Sequence, residues 1–421
     1  MAAPRSEGMI VALIAAVQFI NILDFMMVMP LGPEFARALA IPLAQLGVIG
    51  GSYTAAAALS GLAGALFLDR FDRRKALAVS MLGLVIGTAL GGLATGLSSL
   101  VAARVLAGLF GGPATSLSLS IIADVIPPER RGRAMGIVMA SFSIASIAGV
   151  PLGLELALRG GWQMPFFAVA ALGLVVAACA IFLLPPMRGH LTLAGPKPRM
   201  ANLVRQPLVL TAYATTAVVM MSSFLIIPNI AAYVQGNLGY PREHMSFLYL
   251  AGGIVSFFAT PLSGRLVDRI GSFRTGTIGA VLLLGILYTG FYDYWPALTV
   301  VGIFIGFMLA MSMRNVAFNT LISKVPPPQE RAQFMSINSA VQHGAAAAGA
   351  FLSSRMLSEL PGSRLAGIDR ITLVAMGLTL LLPALLRVVE GGVNARALRQ
   401  PSAATAPGSD FGGEPLQPEP S

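Results

Sequence analysis

The chain has 421 residues, of which 56% are hydrophobic and only 11% charged, with a formal net charge of +10. Soluble domains carry about 25% charged residues, whereas segments 76–97, 206–241 and 275–292 hold no Asp, Glu, Lys or Arg at all, as membrane-spanning helices do. A soluble enzyme, a nucleic-acid binder and a disulfide-built secreted domain are excluded together: the basic excess fits the positive-inside bias of membrane proteins, and Cys179 is the only cysteine.

Apolar windows between polar breaks predict twelve spans, at 9–29, 43–68, 76–97, 99–123, 134–158, 163–184, 207–234, 245–267, 275–292, 296–323, 332–355 and 371–389. The first has Arg5 before it, as a signal peptide would, but it holds Asp24 and leads into another span, so it is read as a retained helix. The connections after spans 2, 4, 6, 8 and 10, the even loops, carry 16 of the 28 basic residues, and the odd loops carry six. The even loops and both termini are therefore expected in the cytoplasm. Segment 185–206, rich in Pro and basic residues, divides a half at 1–184 from a half at 207–390 as a cytoplasmic linker. Residues 391–421 are rich in Pro, Gly, Ser and Ala, and read as a disordered cytoplasmic tail.

The halves repeat. Ala65-x-x-x-Asp69-Arg70-x-Asp72-Arg73-Arg74 follows span 2, and Gly264-x-x-x-Asp268-Arg269-x-Gly271 follows span 8. Pro127-Pro128-Glu129-Arg130-Arg131 follows span 4, and Pro327-Pro328-Gln329-Glu330-Arg331 follows span 10. Asp69 to Asp268 is 199 residues and Arg131 to Arg331 is 200, so the offsets of the two landmarks agree to within one residue. The fold class expected is an all-α membrane protein, twelve transmembrane helices in two pseudo-symmetric six-helix bundles, a plan in which one half rocks against the other around a central site.

With these landmarks the chain resembles the major facilitator superfamily over residues 9–390. The Asp-Arg loops match the family's signature loop, well at 264–271 and with Ala65 and Asp72 in place of glycines in the first copy. The resemblance implies that Asp69, Arg70, Arg73, Gly264, Asp268, Arg269 and Gly271 belong to cytoplasmic switch loops that stabilise an outward-facing state. Arg104-Val-Leu-Ala-Gly108 in span 4 is similar to the family's intramembrane arginine motif, associated with proton coupling. Gly149-Val-Pro151-Leu-Gly153 in span 5 looks like a degenerate antiporter motif. With Leu23-Asp24-Phe25-Met26 and Pro30, these residues resemble the twelve-span drug:proton antiporter branch, including bacterial sugar or arabinose efflux permeases.

Independently of any family, an ionisable group in hydrocarbon is costly and so a functional candidate. Asp24 and Glu155 are the acids inside the predicted spans, and Arg104 and Arg314 the clearest bases. Glu155 lies near an outer end, where it reaches water; Arg314 is expected to snorkel to the cytoplasmic interface. Asp24 and Arg104 lie at matching depth, within about two turns of the outer ends of spans 1 and 4; the resemblance implies that helices 1 and 4 are neighbours lining a cavity, so the two residues are expected to interact. A carboxyl holds its proton less tightly beside a guanidinium and more tightly when water is removed. Alternation of the two environments would load and release a proton; the competing reading is a static ion pair that fixes packing. At an offset of 200 the second half has Phe224 and Phe304, so the charged pair is confined to the first half.

Softer candidates for substrate contact are Asn21, Asn229 beside Pro228, Asn315, Asn319 and His343, with interhelical hydrogen bonding or neutral packing as the alternative for each. Gly83, Gly87 and Gly91, and Gly302, Gly306 and Ala310, fall at four-residue spacing and let helices approach closely. No phosphate-binding glycine loop, metal-ligand cluster or nucleophile–base pairing stands out. The expected protein is not an enzyme and has no cofactor or metal. It is a monomeric secondary transporter of the bacterial cytoplasmic membrane whose partners are protons, the lipid bilayer and a small-molecule substrate, with no nucleic acid. Proton-coupled efflux comes first, then proton symport of a sugar or metabolite, then uniport, and a membrane receptor last.

Overall fold

The computed structural model describes residues 4–187, 205–326 and 330–399; most of the expected linker lies outside the described residues. The spans are Pro4–Val28 (span 1), Leu46–Phe67 (span 2), Arg73–Gly92 (span 3), Leu97–Val125 (span 4), Pro128–Ile144 with Val150–Gly160 (span 5) and Gln163–Leu183 (span 6). In the second half they are Pro207–Gly236 (span 7), Met245–Ile270 (span 8), Ser272–Leu287 (span 9), Val300–Ile322 (span 10), Arg331–Met356 (span 11) and Ile368–Arg399 (span 12). Eleven of these are long and apolar enough to cross a membrane by length and composition. Span 11 is long enough but carries Gln333, Ser336, Asn338, Ser339, Gln342 and His343. Its polar and small residues suit its place, packed between span 7 of its own half and span 2 of the other.

Packing repeats with the chain. In the first half span 4 packs on spans 2 and 3, span 3 on span 6, and span 1 on spans 4, 5 and 6. In the second half span 10 packs on spans 8 and 9, span 9 on span 12, and span 7 on spans 10, 11 and 12. Each pair maps onto its counterpart by adding six. The halves meet where span 2 packs on span 11 and span 5 on span 8, two contacts that exchange under the same operation. The structure is thus two pseudo-symmetric six-helix bundles.

The glycine stripes set the helix spacing. A Cβ on Gly87 of span 3 would lie 2.5 Å from the Ala107 nitrogen of span 4, and one on Gly83 would enter the Phe110 ring. A Cβ on Gly112 would lie 2.7 Å from the Ala57 carbonyl of span 2. Helix starts are capped by side chains: Asp72 accepts from Arg74 N at 2.9 Å and Met187 N at 3.2 Å, tying span 3 to the end of span 6. Glu390 of span 12 serves the matching junction in the second half, accepting from Ser272 N at 2.8 Å and Phe273 N at 3.2 Å.

One local expectation needs correction. A disordered tail is expected from 391, but span 12 stays helical to Arg399, and residues 400–421 lie outside the described residues. Val393 packs against the apolar core of the second half, and Arg396 donates to the Val325 carbonyl at 3.2 Å. The connection between spans 11 and 12 forms a small antiparallel hairpin, Ser358–Leu360 with Arg364–Ala366, around a turn that needs positive φ at Gly362 and Ser363.

Polar links between the halves gather on the odd-loop face. Glu34 pairs with Arg242, Arg37 Nη2 donates to Gln235 Oε1 at 3.4 Å, and Leu43 N donates to Glu359 Oε2 at 2.8 Å on the hairpin. Below them span 2 lies against span 11 so closely that a Cβ on Gly47 would strike the Ala350 carbonyl. A Cβ on Gly253 of span 8 would likewise sit 2.8 Å from the Ser146 carbonyl of span 5. This face of the molecule is closed.

Candidate functional site

Asp24 lies on span 1 four residues before Val28, and Arg104 on span 4 seven residues after Leu97. Their antiparallel helices bring the two to one level near the odd-loop face, and the side chains meet. Arg104 Nη1 donates to Asp24 Oδ2 at 3.0 Å and Nη2 to Oδ1 at 3.2 Å, a bidentate pair. Asp24 is 0% and Arg104 1% exposed. The guanidinium packs against the rings of Tyr53, 5.9 Å from its carbon, and Phe166, 5.5 Å away, contacts that are strongest when desolvated. Its Nε has no hydrogen-bond partner among the described residues.

Two further groups complete the site. Thr88 Oγ of span 3 lies 2.6 Å from Asp24 Oδ1 and 2.9 Å from the Leu84 carbonyl. A hydroxyl has one proton to give, so Thr88 donates either to the carboxylate or to its own helix. Asn21 makes three hydrogen bonds: its amide donates to the Gly111 carbonyl at 2.8 Å and Thr115 Oγ at 2.6 Å, and its oxygen accepts from Tyr53 OH at 2.8 Å. It therefore ties spans 1, 2 and 4 together. Tyr53 leads outward from the pair, its ring 5.3 Å from Phe25, which lies 6.0 Å from Phe224 of span 7. This aromatic row joins the buried pair to the seam between the halves.

The sequence builds this geometry with small residues. A Cβ on Gly108, the end of the arginine motif, would collide with the Tyr53 carbonyl, so its absence lets span 2 bring Tyr53 beside Arg104. Gly91 leaves room for Phe166 and for Arg104 Nη2, which would lie 3.5 Å from a Cβ there. In span 5 the helix widens to a π turn at Ala145–Gly149 immediately before Pro151. Such turns absorb a break in the hydrogen-bond ladder, and a proline, lacking N–H, makes one. Gly149 lies against Leu23, the neighbour of Asp24, whereas a Cβ on Gly153 would make only ordinary contacts, 3.9 Å from Pro165 and 4.0 Å from Met27.

The other candidates are dispersed. Asn229, in the break of span 7 at Ile227–Asn229, donates to the Leu225 carbonyl at 3.2 Å and to Ser353 Oγ of span 11 at 3.1 Å. Asn315 is half-buried with an unpartnered Oδ1, while Asn319 one turn on is exposed, so the two do not share one buried surface. His343 is half-buried on span 11. Glu155 forms an exposed pair with Arg159 at 2.7 Å, as expected of a residue at a water-reaching end. Arg314 departs from expectation: it is 0% exposed, reaches no interface, and bonds Ser222 and Ser223 of span 7. Snorkelling fails because the residue lies eight positions from the end of span 10, on the face turned inward to span 7.

On the even-loop face Arg73 pairs with Asp124 at 3.2 Å, linking the start of span 3 to the end of span 4. Arg70, Asp268 and Arg269 are exposed, and the Asp69 side chain lies outside the described residues. Gly271 closes span 8 at φ 88°, a conformation favouring glycine, and Gly264 has nothing near it. Sequence reasoning missed Tyr53, Thr88, Phe166 and Asp124. Thr88 had a legible signal, as a hydroxyl midway along a charge-free span; Tyr53 and Phe166 had none among so many apolar aromatics.

Comparison with known proteins agrees with this architecture. The family model of the Major Facilitator Superfamily matches residues 14–400. A chloramphenicol resistance protein of Streptomyces lividans is 26% identical over 268 residues, 63% of this chain, and the match spans 66% of that relative's length. A bacterial homologue of the human lysosomal transporter Spinster, in an inward-facing and unoccupied conformation, superposes with TM-score 0.73 at 16% identity, over 94% of this chain and 99% of its own. A D-xylose–proton symporter superposes with TM-score 0.72 at 18% identity, over 91% of this chain and 97% of its own. From the family match along nearly all its spans, and from the doubled six-helix fold, this multi-pass membrane protein belongs to the Major Facilitator Superfamily.

Proposed function

We propose that the chain is a proton-coupled exporter that exchanges protons for a small organic molecule by alternating access. The observation that carries this reading is the buried bidentate pair of Asp24 and Arg104. An isolated charge in hydrocarbon is expensive and a paired one much less so, so protonation of Asp24 removes the partner on which the Arg104 charge depends. Thr88 turns to the Leu84 carbonyl when the carboxyl no longer needs its proton. The freed guanidinium seeks another partner, and the row Tyr53–Phe25–Phe224 carries its displacement to the seam with span 7. A proton then moves the balance between two conformers, because it interacts differently with each.

The closed odd-loop face and the exposed Arg70, Asp268 and Arg269 fit a conformer open toward the even loops, which the basic bias places in the cytoplasm. The protein then works as a monomer in a bacterial cytoplasmic membrane with both termini inside. Export rather than uptake is supported by the Gly149–Pro151–Gly153 stretch beside the π turn and by the similarity to a chloramphenicol resistance protein of Streptomyces lividans. Half-buried Phe25, Met26 and Met220 near the seam offer an apolar lining for such a molecule.

The test is transport into inverted membrane vesicles with an imposed pH gradient, using chloramphenicol, sugars, nucleosides and lipophilic cations as probes. Export by antiport gives accumulation when the vesicle interior is acidic and none with a protonophore. Accumulation driven only by an alkaline interior identifies symport, and indifference to the gradient identifies uniport; either result overturns the proposal.

A further inference from the structure

The second half contains its own buried guanidinium, Arg314, on span 10, the pseudo-symmetric counterpart of span 4. It reaches toward span 7, the counterpart of span 1, as Arg104 reaches toward span 1. The two sites differ in what they find there. Arg104 meets the Asp24 carboxylate; Arg314 Nη1 meets Ser222 Oγ at 3.1 Å and Nη2 meets Ser223 Oγ at 2.5 Å and the Met311 sulfur at 2.9 Å. Both serine hydroxyls donate to the Val219 carbonyl, at 3.0 and 2.7 Å, so only their lone pairs face the arginine. Arg314 Nε has no hydrogen-bond partner, and among the described residues Arg314 makes no ion pair. The neighbouring Asn315 Oδ1 is buried without a partner as well.

A guanidinium keeps its charge in proteins. Two neutral hydroxyls do not offset that charge, and a buried ion without a counter-ion is strongly disfavoured. Arg314 lies fourteen residues from one end of its 23-residue helix and eight from the other, about 12 Å from the nearer end, so headgroups do not supply the counter-charge. The repeat shows what is missing: where span 1 has Asp24, span 7 has Ser222, Ser223 and Phe224.

We propose that Arg314, with Ser222 and Ser223, is an anion-binding site between spans 7 and 10 that takes one small monovalent anion. The anion is either a carboxylate on the transported molecule or a free inorganic ion such as chloride. The site lies in the opposite half from the proton site, and it stands or falls independently of coupling or direction.

Thermal unfolding of the full-length protein in a neutral maltoside detergent tests this, titrated separately with sodium acetate and sodium chloride. The wild type is expected to gain a saturable rise in Tm that Arg314→Gln loses. A rise with acetate alone assigns the site to a carboxylate, and a rise with chloride as well assigns it to a free anion. Ser223→Asp places a tethered carboxylate against the guanidinium, and is expected to raise Tm in salt-poor buffer and abolish the titration. The variant decides the matter if Arg314→Gln does not fold. Equal titrations in wild type and Ser223→Asp, or no saturable rise in the wild type with either salt, overturn the proposal.

Discussion

Replacing Asp24 by Asn changes almost no volume and removes the anion that the Arg104 guanidinium bonds. Two charge-assisted bonds, at 3.0 and 3.2 Å, lose their ionic acceptor. Removing one partner from a buried pair costs about 3–5 kcal/mol, because the other charge stays behind uncompensated. Asn retains one oxygen for one of these bonds, which places the cost near the lower end, at about 3 kcal/mol. The double variant Asp24→Asn with Arg104→Gln is neutral and is expected to recover much of that loss. Stability alone does not separate a working pair from a static one, since both lose packing energy. Gradient response does: in inverted vesicles, Asp24→Asn and the double variant are expected to exchange substrate down its own gradient but not to concentrate it against one. A folded Asp24→Asn protein that still concentrates substrate under an acidic interior would refute the coupling role of Asp24.

Thr88→Val keeps the shape of the side chain and removes the hydroxyl 2.6 Å from Asp24. A hydrogen bond to a charged group contributes about 1.5–3 kcal/mol, so lower Tm and slower gradient-driven export are expected, with recovery in Thr88→Ser. Gly87→Val forces a side chain into the Ala107 backbone, 2.5 Å from its nitrogen. Overpacking of this kind costs about 1–3 kcal/mol, to be read as a lower Tm than Gly136→Ala, whose Cβ meets nothing within 4 Å. Glu34→Gln removes the carboxylate that pairs with both Arg37 and Arg242 on the odd-loop face. Spin labels at residues 40 and 362 are expected to gain a longer-distance population, and an unchanged distribution would show that this link does not hold the face closed.

Span number and the twofold repeat were legible in the sequence because hydrocarbon admits few backbone solutions. A chain that must bond its own peptides within a membrane writes its helices as long apolar runs, and duplication left its landmarks at offsets of 199 and 200 residues. The Asp24–Arg104 contact was legible for a related reason. Two costly charges at one depth have a strong incentive to meet, and the family resemblance supplied the expectation that spans 1 and 4 are neighbours. The extent of span 12 was misread because composition near Gly391 and Gly392 suggests disorder, whereas Val393 and Arg396 find partners across the fold.

By itself, the sequence determined that the chain lives in lipid, that it is built twice from six helices, and that its first half carries an acid and a base at one level. Only the tertiary structure decided that Thr88, Tyr53 and Phe166 surround that pair, that Glu34 and Arg242 seal one face, and that Arg314 is enclosed rather than reaching an interface. Burial and spacing along one helix are local properties that periodicity and charge record. Which face of one helix meets which face of another depends on glycines such as Gly87, Gly108 and Gly253, whose effect exists only when a second backbone arrives beside them.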